Sequence, residues 1–528
     1  MYVGIDLGTS KCAAVVAIPS SDGFEYKLLN IRQPLDPEDL SKGNLKSELL
    51  PSVLYVNQKG QTVVGSSAAK QAFYNPKRAI ASSKLWLGKD VTFTIDGAKT
   101  PISPEDIASK FILTIVRSFG MENISISNCV IGVPACFNLK QKDEVKLAAQ
   151  KAGIPNLSGT LLDEPTAAFL SIYADKESEI SALVNQKARS TFAVIDLGGG
   201  TLDISVIQIN RENNVLVPVV LATSQRSEGA GDQFDEEIAR VLANKFVFPY
   251  KGFSFEGLDN DEKLRLAGDM IYTAREIKHD LTMQHLDKGS LGISRKTIVV
   301  TMKNGSKKNV PVQMTYFDLE SALDSYFNIN SSISIQNQLL QVLNSFELRA
   351  RTTGSRSLTP DFFILSGQMA QLWLVQECIQ EILPGVKVFL IKDPQYAVAK
   401  GAAVQAATKI IQQQFLSTDL LLKTYRGFYR LAKRGSWLPI AKSSVPDALQ
   451  VTSSESSGMS MQIWQGQEEY PDQLELLREE WIQFPSPQPE GSLIGLEWSI
   501  SMDFQLMLTP FLGDTSLKTL RLNPVGSI

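Results

Sequence analysis

The chain has 528 residues, long enough for roughly two to four domains. Its 43% hydrophobic and 20% charged residues describe a globular soluble protein, and a net charge of −4 argues against a nucleic-acid partner. No apolar run is long enough to span a membrane. Met1-Tyr-Val-Gly-Ile-Asp6 puts a carboxylate where a signal peptide needs apolar residues. The four cysteines (Cys12, Cys129, Cys136, Cys378) show no CxxC spacing, so they read as buried, reduced thiols of a cytoplasmic protein. With only His279 and His285 present, neither a zinc site nor a Ser–His–Asp triad is expected.

In chain order, residues 2–7, 13–18 and 26–31 read as strands, and 50–56 with 62–65 as a short hairpin. Ser66 to Tyr74 is helical, closed by Pro76. Lys84 precedes Leu-Trp-Leu and, taken alone, reads as a surface lysine lying along an apolar patch. A helix opens at Pro104-Glu105-Asp106 with Ile107, Phe111, Ile112 and Ile115 on one face. Residues 129–135 form a buried strand ending at Pro134, and 140–151 a helix ended by Gly153. Leu161 to Ala168 is a strand end turning into a helix, with Pro165 at the first helical position. Glu164, taken alone, is an ordinary acid at a helix start. Residues 173–190 read as a surface loop.

Val194 to Ile207 is a strand, a Gly198-Gly199-Gly200 turn and a second strand. Asp196 and Asp203 flank the turn, and Thr201 adds a hydroxyl. Glycines let a backbone approach a ligand closely, and their N–H groups can form an anion-binding concavity. Carboxylates beside such donors suggest phosphate held with hydrated Mg²⁺. One such turn can also be an ordinary hairpin. The same phrase stands at the amino terminus, however, with Asp6 in the place of Asp196 and Gly8-Thr9 in that of Gly200-Thr201. The repetition predicts two related lobes closing on one nucleotide.

Further on, 204–209 and 215–221 form a strand pair. Gly229-Ala-Gly231-Asp232 opens a helix over 234–247, either as a plain capped start or as an anion site. A long helix over 264–281 carries Arg275, Lys278 and His279, a hairpin follows at 289–302, and 316–350 is mostly helical. Residues 361–367 are a strand entering a glycine turn, 369–382 a helix, 386–391 a strand and 397–407 a helix of small residues. Past 408 a short apolar segment, Leu420-Leu421-Leu422, precedes period-two patterns: Met459/Met461/Ile463, Leu496/Trp498/Ile500/Met502, Phe504/Leu506/Leu508. These predict a small antiparallel β domain.

Five stretches in this order resemble the heat-shock protein 70 family, DnaK type. They are Gly4-Ile-Asp-Leu-Gly-Thr9, Val133-Pro-Ala-Cys-Phe-Asn138, Asp163-Glu-Pro-Thr-Ala-Ala168, Ile195-Asp-Leu-Gly-Gly-Gly-Thr201 and Ala397 to Ala407. The resemblance implies an α/β actin-like (ribonuclease H-like) ATPase of two lobes followed by a small all-β sandwich that binds peptides. The lobes would be about 1–190 and 191–410, the linker 411–424 and a truncated substrate-binding sandwich 425–528. The sequence stops at Ile528, soon after the last strand, so an atypical member without the family's helical lid is expected.

Carried over residue by residue, the resemblance gives Gly8, Thr9, Ser10 and the 198–201 turn to the phosphates. Asp6 and Asp196 would orient Mg²⁺ through its waters. Lys84 would position the attacking water, and Glu164, Asp203 and Thr201 would help orient it or take its proton. Arg275, Lys278, His279, Thr282 and Gly367 fall at the family's nucleoside pocket, and Gly231, in the second glycine turn, is a further cofactor-binding position. Arg275 stands where the family usually has an acid, and Ala370 where it has an arginine that stacks on adenine. Weaker ATP affinity than usual is therefore expected. Pro134 and Lys142 match a proline switch and its basic partner, lysine here in place of arginine. Leu420, Leu421 and Leu422 match a linker that would dock on the ATPase lobe. Leu449, Thr452, Met459 and Met461 fall at the family's peptide cleft, or are plain sandwich core.

The function expected is an ATP-dependent chaperone, with ATP or ADP and Mg²⁺ as cofactors. Its partners would be unfolded or apolar peptide segments, a J-domain co-chaperone and a nucleotide-exchange factor, with no membrane. The alternative is a regulator that binds nucleotide with little or no folding cycle. A sugar kinase or actin-like filament protein fits less well, because the Glu-Pro-Thr-Ala-Ala run and a β domain after leucines are not expected there.

Overall fold

A computed structural model describes residues 1–522 apart from 22, 122–125, 127, 155–160, 177–178, 181, 183–189, 213–214, 225–229, 289–291, 353–358, 409–415, 417, 435, 437, 467–473 and 502–504. Most of the expected 173–190 loop, part of the 411–424 linker, Gly229, Met502 and Phe504 fall outside the described residues. The fold is mixed α/β with several sheets.

The first sheet runs Leu161–Asp163, Asn128–Val133, Tyr2–Asp6, Lys11–Ser20, Gly23–Leu28. The first three strands are parallel and the last two antiparallel. A second sheet repeats this plan with Lys387–Leu390, Phe362–Ser366, Ser190–Leu197, Leu202–Glu212 and Val215–Thr223. In each, a strand carries an acid at or next to its end, turns on glycine and returns antiparallel. Parallel neighbours then arrive through helical crossovers. The interiors of the central parallel strands are apolar, as Val3, Ile5, Ile131, Ile195 and Leu365 show by their near-complete burial.

The helix Ala397–Thr408 follows the second sheet in the chain but packs on the first half. It packs on Tyr2–Asp6 and on the helix Glu164–Asp175. Its small residues are required, because a Cβ on Gly401 would stand 1.8 Å from the Ala167 carbonyl oxygen. A Cβ on Gly4 would likewise stand 2.1 Å from that of Ala399. No helix among the described residues is long and apolar enough to cross a membrane.

The hairpin expected within 289–302 is larger and later. Ile293–Thr301 pairs with Lys307–Thr315 around the turn at 302–306. The second strand opens with exposed lysines, which hid it from a search for apolar alternation.

The β unit is a sandwich. One sheet orders Gly427–Ala432, Asp419–Thr424, Ser456–Gly466 and Glu475–Gln488. The other orders Ile440–Gln450, Leu493–Ile500, Leu506–Leu512 and Thr515–Ser516. The three leucines expected in a linker lie in the Asp419–Thr424 strand, Leu421 pairing with Trp464 and Leu422 with Ile463. Leu420 and Leu422 lie in the sandwich core, because strand alternation turns both to the same inner face. Leu139, at the start of the helix Leu139–Lys151, joins the same cluster.

Candidate functional site

The two glycine turns meet. A Cβ on Gly200 would lie 2.8 Å from Thr9 Cγ2, and one on Gly199 2.4 Å from Ser10 Oγ. Each turn is fixed by its own half. Ser52 donates to the Gly8 carbonyl at 2.7 Å, and Gly198 N donates to the Thr201 carbonyl at 3.0 Å. Gly367, at φ 80°, closes the floor beside Asp196, where a Cβ would sit 2.5 Å from the carboxylate.

Asp6, Glu164, Asp196, Asp203 and Lys84 line one cavity with Gly8, Thr9 and the 198–201 turn; its volume is ≈ 140 Å³. Lys84 is not a surface residue: only 7% of it is exposed, and its Nζ donates to Glu164 Oε1 at 2.6 Å. The partner lies 80 residues further along the chain, which is why the local sequence reads as surface.

The cavity holds more acid than base. Burial pushes the Asp6 carboxyl up to about 7, with Lys84 opposing and Glu164 adding to the rise. Burial, and then the neighbouring Glu164, Asp203 and Asp6 carboxylates, hold Asp196 well above the usual range. Ser10 Oγ is buried with no hydrogen-bond partner among the described residues. An orphaned hydroxyl beside buried excess carboxylate fits a phosphate with a divalent cation. Among the described residues no three acid, histidine or cysteine side chains converge as a direct ligand set.

A second cavity of ≈ 690 Å³ adjoins the first, sharing Ser10, Lys11, Gly199, Gln368 and Met369 with it. Gly231, Arg275, Lys278, His279 and Thr282 all line it. Its volume suits a drug-sized ligand such as a nucleoside. Ala370, by contrast, is fully buried and offers no surface to a base.

Part of the expected lining is already engaged. The N–H groups of Gly231 and Asp232 donate to the Gly198 and Gly199 carbonyls at 3.1 and 2.5 Å, at the start of the helix Gly231–Leu242. Arg275 and Lys278 are tied to that helix. Lys278 Nζ lies 2.6 Å from Asp235, and Arg275 Nε 2.9 Å from the same carboxylate. Lys278 also donates to the Gly231 carbonyl at 2.9 Å, and Thr282 Oγ1 to that of Lys278 at 2.8 Å. Asp232 and Asp235 stood in the glycine-turn stretch, but their cations are 40 and more residues away.

Cys136 is half-buried instead of buried, and its Sγ lies 3.9 Å from Asp203 Oδ1. Pro134 is buried, and Lys142 Nζ lies 3.4 Å from Asp163, the residue before Glu164. The same helix holds the loop after Lys84. Glu144 accepts from Gly88 N at 2.6 Å, and Lys140 meets Asp90 at 2.7 Å.

In the sandwich, Leu449 and Met461 belong to the core, 3% and 1% exposed. They take the core alternative because each faces inward from its strand. Met459 is half-buried against that core, and Thr452 is exposed.

A family model described as "Hsp70 protein" matches residues 2–494. The chain is 26% identical over 459 residues to a "Chaperone protein DnaK" of Elusimicrobium minutum, covering 84% of this chain and 64% of that protein. It is 28% identical over 414 residues to the "Chaperone protein DnaK" of Thermoplasma volcanium, covering 77% of this chain and 58% of the relative. It is 29% identical over 407 residues to that of Thermotoga petrophila, covering 77% and 59%. The chain thus spans about six-tenths of the length of the curated relatives it matches.

Proposed function

This chain belongs to the Hsp70 family, and from that premise we propose that it is an ATP-dependent chaperone. Its amino-terminal part is read as an actin-like, ribonuclease H-like ATPase, which the repeated strand order of the two sheets supports. ATP hydrolysis there would govern the grip of the sandwich on unfolded or apolar peptide segments. A J-domain co-chaperone and a nucleotide-exchange factor are the proposed partners. Four free thiols among the described residues favour a reducing compartment, the cytoplasm.

One observation carries the reading. The two glycine turns touch and line one cavity with the buried Lys84–Glu164 pair, and Ser10 and Gly199 also line the adjoining cavity of nucleoside size. The phosphates would lie on Thr9, Ser10 and the 198–201 turn. Asp6 and Asp196 would hold a hydrated Mg²⁺, which supplies charge neutralisation to the phosphates. Lys84, fixed by Glu164, would hold the attacking water in line. Glu164 and Asp203, both buried, would take the proton released at its oxygen.

Single-turnover ATP hydrolysis, with and without an apolar peptide, tests this beside Lys84→Ala. Wild-type hydrolysis no faster than that of Lys84→Ala would exclude the catalytic role. The second reading, a regulator that binds nucleotide with little folding cycle, is favoured by Leu449 and Met461 being closed inside the sandwich. Hydrolysis that no peptide stimulates would select it.

A further inference from the structure

We propose that Lys11 is a phosphate-binding residue, holding the middle of a nucleotide's polyphosphate chain where the two cavities join. The inference rests on the nucleotide reading and adds a contact that none of the matched motifs supplies.

Lys11 directly follows the Thr9–Ser10 turn and opens the strand Lys11–Ser20. Its backbone is held by pairing opposite Pro51. The residue lines both the ≈ 140 Å³ and the ≈ 690 Å³ cavities. Any ligand with its terminal phosphate on the glycine turns and its nucleoside in the larger space must pass it.

The other cations of the cleft are committed. Lys84 is paired with Glu164, Lys278 with Asp235, and Arg275 with Asp235 and Asp232. Lys11 is exposed and makes no ion pair with any carboxylate among the described residues. The charge that acts on it is of like sign. Partial burial, and then the Arg275 guanidinium, lower the proton affinity of its ammonium. Two cations lining the same cavity, one of them without a counter-charge among the described residues, form a site for an anion. Ser10 Oγ, buried without a partner, adds a donor on the same wall. A di- or triphosphate supplies the missing negative charge where adenosine does not.

The test is calorimetric titration of the full chain, wild type, Lys11→Met and Lys11→Arg, with ADP, adenosine and inorganic pyrophosphate at two salt concentrations. Lys11→Met is expected to lose about tenfold in ADP and pyrophosphate affinity, to flatten the salt dependence and to leave adenosine unchanged. Lys11→Arg should restore most of the loss. Equal ADP affinity in wild type and Lys11→Met overturns the proposal. So does an equal loss for ADP and adenosine, which would mean that Lys11 only shapes the cleft. If the wild type binds pyrophosphate but neither ADP nor adenosine, the nucleotide reading fails by itself. Lys11 then stands if Lys11→Met loses pyrophosphate and falls if it does not. A wild type that binds none of the three overturns both.

Discussion

Lys84 and Glu164 stand 2.6 Å apart, with 6% and 9% of their side chains exposed, although 80 residues of chain separate them. A pair so buried is held by mutual need: removing one partner strands the other charge in a medium that cannot solvate it.

Glu164→Gln should therefore cost about 3 kcal/mol of stability by urea unfolding. Lys84→Met/Glu164→Gln should recover much of that cost. Single-turnover hydrolysis should stay low in both, by about 100-fold or more. Recovery of hydrolysis in the double variant would show the pair to be a structural strut alone.

The contact between the glycine turns makes a second prediction. A Cβ on Gly200 would meet Thr9 Cγ2, and one on Gly199 the Ser10 hydroxyl. Gly199→Ala and Gly200→Ala should push the turns apart and weaken ATP binding by about tenfold. Their melting temperatures should fall by only a few degrees, because the turns sit at the surface of the cleft. Unchanged ATP affinity in both variants would rule out phosphate binding at this contact.

Nucleotide affinity in the wild type should be weaker than is usual for the family, by a factor of about five. Ala370 is buried and presents nothing to stack on a base, and a lost cation–π plane is worth about 1 kcal/mol. Arg275 is already engaged by Asp235 and Asp232, so it does not replace that plane. Calorimetry returning a nanomolar Kd would contradict this.

A pH prediction comes from the start of the helix Tyr316–Phe327. Asp318 accepts from Lys245, Thr315 N and Thr315 Oγ1, and these bonds lower its carboxyl from 3.8 to about 2. A carboxyl depressed in the folded state contributes stability above its unfolded value and loses it as pH falls. The contribution should thus be whole above about pH 4 and gone below about pH 2. Asp318→Asn should cost about 1 kcal/mol at neutral pH and nothing below that window. Urea unfolding from pH 7 to pH 2 measures the convergence, and parallel curves would refute it.

What the sequence discloses here is local, and what it hides is pairing over distance. The acid–glycine–threonine phrases were readable because each turn is written in a few adjacent residues, and their repetition foretold two equivalent sheets. The small-residue helix 397–407 was readable for the same reason. Lys84, Arg275 and Lys278 were not, since their partners Glu164 and Asp235 lie 40 to 80 residues away and nothing local marks them. The run Leu420-Leu421-Leu422 was ambiguous in another way. A strand covered on both faces and an apolar linker are spelled alike, and only the pairing with 463–465 decides. The strand Lys307–Thr315 was masked by its exposed polar half.

The helix Leu139–Lys151 touches three parties: the loop that follows Lys84 through Glu144 and Lys140, the residue before Glu164 through Lys142, and the sandwich core through Leu139. It is therefore shared property in the thermodynamic sense. Whatever free energy a cleft ligand spends in shifting this helix is free energy the sandwich feels. A sandwich ligand that shifts the helix must return the same factor to the cleft. Tightening at one end should then be readable by titrating the other, and a cleft affinity that a sandwich ligand leaves unmoved would refute it.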